Sequence, residues 1–537
     1  MIVNNNNNIN PNVLNKHFQF AFCLFIFSFV LFGFLPVLIA DYVPQDQWRA
    51  FSYGTGADGL RQFYMCKDRI FNFYLSTGRP LVYIPECVEH AFIKNIADFC
   101  FLRIPSLLIT FASMLIGARI FRRITNNFWH ALSLTLPLIF NPGYAFMFYQ
   151  GYTAAGVLAS IGLAFASLYY LIEAYEPRTV SLKSRSKILF TSTGIILFFI
   201  SLLNYAAFAF IVIPVAFFTT AFSKDLSNAE RIKLLIKIYI IYVVTCFAYL
   251  IFIKVTSLNL PQTDLGIYKA DVANASIILG KLHRFTSGIF FHSGFVNYKC
   301  PTFILLSFII LSAFFIPKKN KNHGLKHTIF TALIYIFLFP IVSIASSAPV
   351  LISYFDNPLL TRHTLPTFFM SGFCILFSLI KSSEFLSNKN NAYLNYSKFI
   401  NATLLCIIAA FTIQQFRISV NLIQNGLIEL FVIKSKVNKI LTKTNITNGL
   451  HIHILRPTSG SFITRIWFNS GEYAPAITQN PEHIKQIITM LLKNKYNNDD
   501  ILYSISIRDC KLDIKCGERP PANNEIVITQ SLNNNIH

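Results

Sequence analysis

The feature that most constrains this chain is a series of long apolar runs set apart by short basic loops. A hydrocarbon core about 30 Å thick demands about 20 consecutive apolar residues of a crossing helix. Runs of this kind recur at 18–40, 101–118, 128–148, 153–172, 187–203, 205–222, 236–256, 301–317, 327–348, 364–380 and 398–416. The stretch from 187 to 222 is too long for one crossing, and Asn204-Tyr205 is the natural place for it to fold into a hairpin. The stretch from 128 to 172 splits in the same way at Asn141-Pro142-Gly143 and Gly151, because Pro and Gly punctuate helices. With 54% hydrophobic and 13% charged residues, the composition argues against several soluble domains. The expected fold class is an all-α polytopic membrane protein of about 11 transmembrane helices, with a small C-terminal α+β extramembrane domain.

Loop charge sets the orientation. If the N-terminus is cytoplasmic, Arg119/Arg122/Arg123, Arg178/Lys183/Arg185/Lys187, Lys224/Arg231/Lys233, Lys318/Lys319/Lys321/Lys326 and Lys381/Lys389/Lys398 all fall inside. The alternate loops are poorer in base, and the first balances six bases with seven acids. This is the positive-inside pattern, and an odd number of spans then leaves the C-terminus outside. A net charge of +22 would point to nucleic acid in a soluble chain, but here it is mostly topology and no nucleic-acid partner is expected. The run from Phe18 to Ala40 is too long for a signal-peptide core and reads as a retained first span, after a disordered Asn-rich leader at 1–17.

The cysteines show no CxxC and no cluster with metal-ligand spacing. Cys23, Cys246, Cys374 and Cys406 lie in apolar runs and read as packing residues, whereas Cys510 and Cys516 could pair locally if their side is oxidising. After the transmembrane region at 18–416, apolar residues from Val420 to Leu441 recur at three- and four-residue steps beside Lys434, Lys436, Lys439 and Lys443. This predicts an amphipathic linker helix at 417–448 that leaves the bilayer and skims its surface. Residues 449–537 then carry short alternating runs (HIHIL, SFITRIWF, ILYSISI, EIVITQ) around a helical segment near 481–495, a pattern that predicts the α+β domain.

The hydrophilic insert at 41–100 concentrates the chemistry, with seven of the chain's 24 carboxylates. A carboxylate just beyond a first span can serve as general base on an acceptor hydroxyl, or hold a divalent cation (Mg or Mn) against a phosphate. Asp46 and Asp41 are the nearest candidates. Arg49, Arg61 and Arg79 can neutralise a leaving phosphate through bidentate contacts, and Trp48 can stack on a sugar ring. Arg362 and His363, which enter the tenth expected span after Asp356-Asn357-Pro358, suit a lipid-linked phosphate at headgroup level. Ordinary roles compete with each assignment: interfacial aromatics and charges anchor juxtamembrane helices, Asp–Arg pairs satisfy each other, and a long Arg snorkels. No protein metal cluster is expected.

A first span followed by Asp46-x-x-Arg49, then Gly78-Arg79-Pro80-Leu81, then Asp98 before the second span, resembles the GT-C membrane glycosyltransferases. Within that class it is most similar to the glucosyltransferases that decorate bacterial O-antigen, part of lipopolysaccharide; these carry Asp-Asp-x-x-Arg and a later Gly-Arg-Pro-Leu. The resemblance covers about the first 130 residues. It implies an inverting hexosyltransferase in a bacterial inner (cytoplasmic) membrane, with its C-terminus periplasmic, that moves a sugar from a polyprenyl-phosphate donor to a cell-envelope glycan acceptor on the periplasmic face. One departure is visible: Gln45-Asp46 stands where the family has paired aspartates, which leaves Asp46 as a lone base. The competing readings are a polymerase- or ligase-like envelope enzyme, a flippase, and a non-enzymatic membrane scaffold. Mid-span positions nearly free of charge weigh against the flippase.

Overall fold

The fold is given by a computed structural model that describes residues 11–40, 59–92, 98–125, 127–140, 142–149, 152–176, 184–223, 226–257, 275–292, 294–295, 298–299, 341–342, 344–349, 365–387, 394–441, 450–457 and 503–510. In chain order, α1 (Pro11–Ile39) is followed by α2 (Gly59–Ser76), α3 (Tyr83–Phe92), α4 (Asp98–Phe121), α5 (Phe128–Ser133), α6 (Leu136–Ile139), α7 (Pro142–Tyr149) and α8 (Tyr152–Tyr175). Next come α9 (Ser184–Ala209), α10 (Val212–Ala221), α11 (Asn228–Ser257), α12 (Ala275–His292), β1 (Gly294–Phe295), β2 (Tyr298–Lys299), α13 (Leu365–Ser387), α14 (Leu394–Leu441), β3 (Leu450–Pro457) and β4 (Tyr503–Cys510).

Among the described residues, 6 helices are long and apolar enough to cross a membrane: Phe20–Ile39, Arg103–Phe121, Ala155–Tyr175, Ser184–Ala209, Ala229–Thr256 and Phe399–Val420. They match the expected runs at 18–40, 101–118, 153–172, 187–203, 236–256 and 398–416, and α13 covers the expected run at 364–380 from Leu365 onward. On α11 the large apolar side chains Ile232, Ile236, Ile240, Val243, Phe247 and Ile251 are exposed, as lipid-facing residues are. The chain is a multi-pass helical membrane protein. The expected spans at 301–317 and most of 327–348 lie outside the described residues.

Two expected crossings are built from short, interrupted helices. Residues 128–148 are divided among α5, α6 and α7, with Pro137 in the first turn of α6 and Pro142 opening α7. Proline lacks the amide donor a continuing helix needs. Every residue from Trp129 to Phe140 is buried. A run that is apolar on all sides suits the interior of a bundle as well as a lipid crossing. The expected span at 205–222 is likewise the 10-residue α10, whose residues from Pro214 onward are all buried. The expected fold-back at Asn204-Tyr205 is present: the helix breaks at Tyr205 (φ −160°, ψ 98°), and the Phe210 ring lies 6.4 Å from Phe198, which a continuous helix would hold about 18 Å away.

Packing follows small residues and aromatic rings. Ser160 on α8 and Ser201 on α9 exchange hydrogen bonds, and Ser167 donates to the Gly194 carbonyl at 2.7 Å. The Phe373 ring of α13 lies 4.4 Å from Phe218 of α10 and 5.2 Å from Phe121 of α4, centroid to centroid. The first and last spans meet where Phe32 stacks on Phe416 and the Ser419 hydroxyl donates to the Gly33 carbonyl at 2.8 Å. At the basic helix ends Arg123 pairs with both Glu173 and Glu176, tying α4 to α8. Nearby sequence also joins α5 to α13: Lys381 donates to Glu384 at 2.8 Å, and His130 Nδ1 lies 3.6 Å from the same carboxylate.

α14 runs unbroken for 48 residues through 416–417, where the sequence suggested a separate linker helix. At 1.5 Å per residue it is about 72 Å long, more than twice the hydrocarbon thickness. In the expected C-terminal domain β3 and β4 pair in parallel, Leu450 with Tyr503 through Pro457 with Cys510. The other expected strands, the segment 481–495 and Cys516 lie outside the described residues.

Candidate functional site

The candidate site is the turn between α2 and α3, which carries Gly78-Arg79-Pro80-Leu81. On α2, Phe63, Cys66, Ile70 and Tyr74 recur at three- and four-residue steps and form its inward face, with the last three buried. The helix ends in a paired-bond C-cap: the Arg79 N–H donates to the Tyr74 carbonyl at 2.8 Å and the Gly78 N–H to Leu75 at 3.1 Å. That cap needs a left-handed residue, and Gly78 has φ 76°. The chain then reverses into α3. A disulfide joins Cys66 to Cys87, closing a separation of 21 residues, and the Tyr74 hydroxyl donates to the buried Glu86 carboxylate. Arg79 is therefore carried on a short hairpin fixed at two levels.

The hairpin docks onto the membrane bundle at the break in α9. Around Tyr205 several carbonyls find partners outside their own helix. Those of Ser201 and Tyr205 accept from the Ser160 hydroxyl at 3.1 and 3.0 Å, while Leu203 accepts from the Leu81 N–H at 3.3 Å. From α11, the Tyr249 hydroxyl donates to the Gly78 carbonyl at 2.8 Å. The half-buried Arg79 guanidinium carbon sits over the Tyr205 ring, 5.1 Å from its centroid. On α8, Gly156 admits Pro85 of α3: a Cβ added there would stand 2.8 Å from the proline Cγ.

The position of this turn along the bundle follows from helix rise. Leu203 lies sixteen residues beyond Lys187 on α9, and Tyr249 sixteen beyond Lys233 on α11. Each interval is about 24 Å at 1.5 Å per residue. On α8 Gly156 is seventeen residues from Glu173, the partner of Arg123. All three helices thus put the turn close to one hydrocarbon thickness from the basic ends. Arg103 marks the same level. Fully buried, it donates from Nη1 to the Val37 and Ala40 carbonyls at 2.6 and 2.9 Å, where α1 ends. A helix C-terminus leaves such carbonyls without intrahelical donors.

The expected site residues divide. Arg79 stands at the docked turn. Arg61 is exposed in the first turn of α2, fifteen residues before Ser76, so the structure sets it about 22 Å along the helix from the turn. Asp41, Asp46, Trp48, Arg49, Arg362 and His363 lie outside the described residues. Among the described residues no group of three or more His, Cys, Asp or Glu is arranged to hold a metal ion.

Sequence reasoning missed Tyr205, Tyr249, Glu86 and the Cys66–Cys87 bridge. The disulfide had a usable signal: both cysteines fall in the first long loop, which charge asymmetry assigns to the non-cytoplasmic side. The tyrosines had none, because Tyr249 is 171 positions from Gly78.

No known family model matches the sequence, and no curated protein is similar to it. Two solved structures share part of its backbone course. One is a crystal structure of ArnT from Cupriavidus metallidurans bound to undecaprenyl phosphate, with 9% identity, 89% of each chain covered and a TM-score of 0.42. The other is ArnT from the same organism in the apo state, with 11% identity, 78% of this chain and 80% of that chain covered, and a TM-score of 0.35. At these scores neither likeness bears on what the turn does.

Proposed function

We propose that the protein is a membrane glycosyltransferase of GT-C type. In this reading it moves a sugar from a polyprenyl-phosphate donor to a cell-envelope glycan at the periplasmic face of a bacterial inner membrane. The observation that carries the reading is the placement of Arg79. A permanently charged guanidinium is held on a rigid turn at one end of the spans, where a lipid phosphate resides. The positive-inside pattern makes that end the outer one, and the Cys66–Cys87 bridge in the same loop supports an oxidising compartment.

In the proposed reaction an acceptor hydroxyl attacks the anomeric carbon of the donor from the face opposite the phosphate. The new carbon–oxygen bond forms as the anomeric carbon–phosphate oxygen bond breaks, which inverts the centre. The bonding pair leaves with the polyprenyl phosphate, and the hydroxyl proton passes to the Asp46 carboxylate acting as general base. Arg79, with Arg49 and Arg362, offsets the charge that grows on the leaving phosphate. Asp41 is the alternative base, and Trp48, Arg61 and His363 line the path of donor or acceptor.

The test is in cells. Envelope glycan from a strain expressing the wild-type chain is expected to carry a sugar that is lost with Asp46→Asn and with Arg79→Gln, at equal protein levels in the membrane. Unchanged decoration in both variants would remove the enzymatic reading.

A further inference from the structure

We infer that Tyr249 and Tyr205 are positioning residues for Arg79: through these two rings the membrane bundle sets where the guanidinium stands, and so tunes its affinity for a lipid-borne phosphate headgroup. This rests on the reading of Arg79 as a phosphate ligand. The local sequence of the turn does not by itself fix its place. The C-cap at Gly78 fixes the backbone relative to α2, and the Cys66–Cys87 bridge fixes α2 relative to α3. Neither ties the turn to the membrane. That link is made by the Tyr249 hydroxyl on the Gly78 carbonyl, 2.8 Å, and by the backbone bond from Leu81 to Leu203, 3.3 Å.

The Tyr205 ring then acts on the side chain. An arginine on a free loop samples many rotamers, and an anion that binds it must order them. Holding the guanidinium over an aromatic face removes much of that freedom beforehand, and leaves the in-plane N–H fork for a bidentate partner. The break in α9 at Tyr205 gives both halves of the arrangement. It turns the ring toward the loop and makes the Leu203 carbonyl available to Leu81. The device consists of one helix break and two tyrosines, drawn from two helices far apart in sequence.

The experiment uses the full chain in phosphatidylcholine nanodiscs, titrated with a radiolabelled polyprenyl monophosphate, with inorganic phosphate as competitor. Tyr249→Phe and Tyr205→Leu are each expected to weaken binding about fivefold, the change that loss of one contact of typical net strength produces. Tyr205→Phe keeps the ring and is expected to stay near wild type. A second readout is independent of phosphate: the thiol of Arg79→Cys should react with a membrane-impermeant maleimide about fivefold faster when Tyr249→Phe is added.

If Arg79→Gln weakens binding while Tyr249→Phe and Tyr205→Leu change neither binding nor labelling, the positioning inference is overturned and the functional reading survives. Should Arg79→Gln leave binding intact, the phosphate reading fails instead, and the labelling rate alone decides whether Tyr249 holds the turn. Competition by inorganic phosphate at concentrations equal to the lipid would overturn the assignment to a lipid headgroup.

Discussion

Gly78→Ala tests the construction of the site at its narrowest point. Two separate costs meet there. The backbone φ of 76° lies in the left-handed region, where a Cβ costs about 1–2 kcal/mol. The added methyl would also stand 2.8 Å from the Tyr249 Oη, so the hydroxyl must retreat and its bond to the Gly78 carbonyl is lost. A hydrogen bond of that kind contributes about 1 kcal/mol net. The single variant is therefore expected to lose about 2–3 kcal/mol of stability. Tyr249→Phe removes the same hydroxyl at a cost of about 1 kcal/mol, and it clears the clash, since the ring Cζ lies at an ordinary 3.9 Å from the new Cβ. The double variant should accordingly lose about 2–3 kcal/mol, less than the sum of the singles by about 1 kcal/mol. The assay is unfolding of the detergent-solubilised protein followed by tryptophan fluorescence at matched scan rates. Strict additivity would refute the contact between the turn and α11.

Three further outcomes follow from the same packing. Cys66→Ala/Cys87→Ala opens a loop of 21-residue separation and should destabilise the chain by about 3 kcal/mol, read as a lower unfolding temperature that reductant no longer shifts. Arg103→Met leaves the Val37 and Ala40 carbonyls without their charged donor; a loss of about 2–3 kcal/mol is expected in the same assay, and no loss would show that water serves these carbonyls equally well. Gly156→Val forces Pro85 away from α8, so protease cleavage between α2 and α3 should speed up while cleavage elsewhere keeps its rate.

Much of the membrane architecture was legible because lipid imposes one rule on length and polarity, and six runs obeyed it. The most evenly apolar runs, 128–148 and 205–222, form short, interrupted helices inside the bundle where the sequence suggested single long ones. Hydrophobicity on all sides marks burial without saying whether lipid or protein does the burying, and Pro137, Pro142 and the buried face of α10 decide for protein. Asn204-Tyr205 was a correct place to expect the chain to fold back, and the break there also lends the Leu203 carbonyl to Leu81. Gly78-Arg79 stood out as a motif, and its left-handed glycine explains the residue choice. What receives the motif was not readable. Tyr205, Tyr249 and Gly156 look like ordinary members of apolar helices, and their meaning comes from contacts across long sequence separations. The Cys66–Cys87 pairing belongs to the same class, because spacing does not reveal connectivity.

The most direct test of the central claim is donor cleavage by the purified protein in proteoliposomes. A panel of polyprenyl-phosphate hexoses labelled in the lipid is supplied with envelope glycan from a host lacking the protein, and released polyprenyl phosphate is measured. The account predicts release with at least one donor, dependent on the acceptor, abolished by Asp46→Asn and reduced at least about tenfold by Arg79→Gln. Release that persists undiminished in both variants, or its absence with every donor while the protein remains folded, would contradict it.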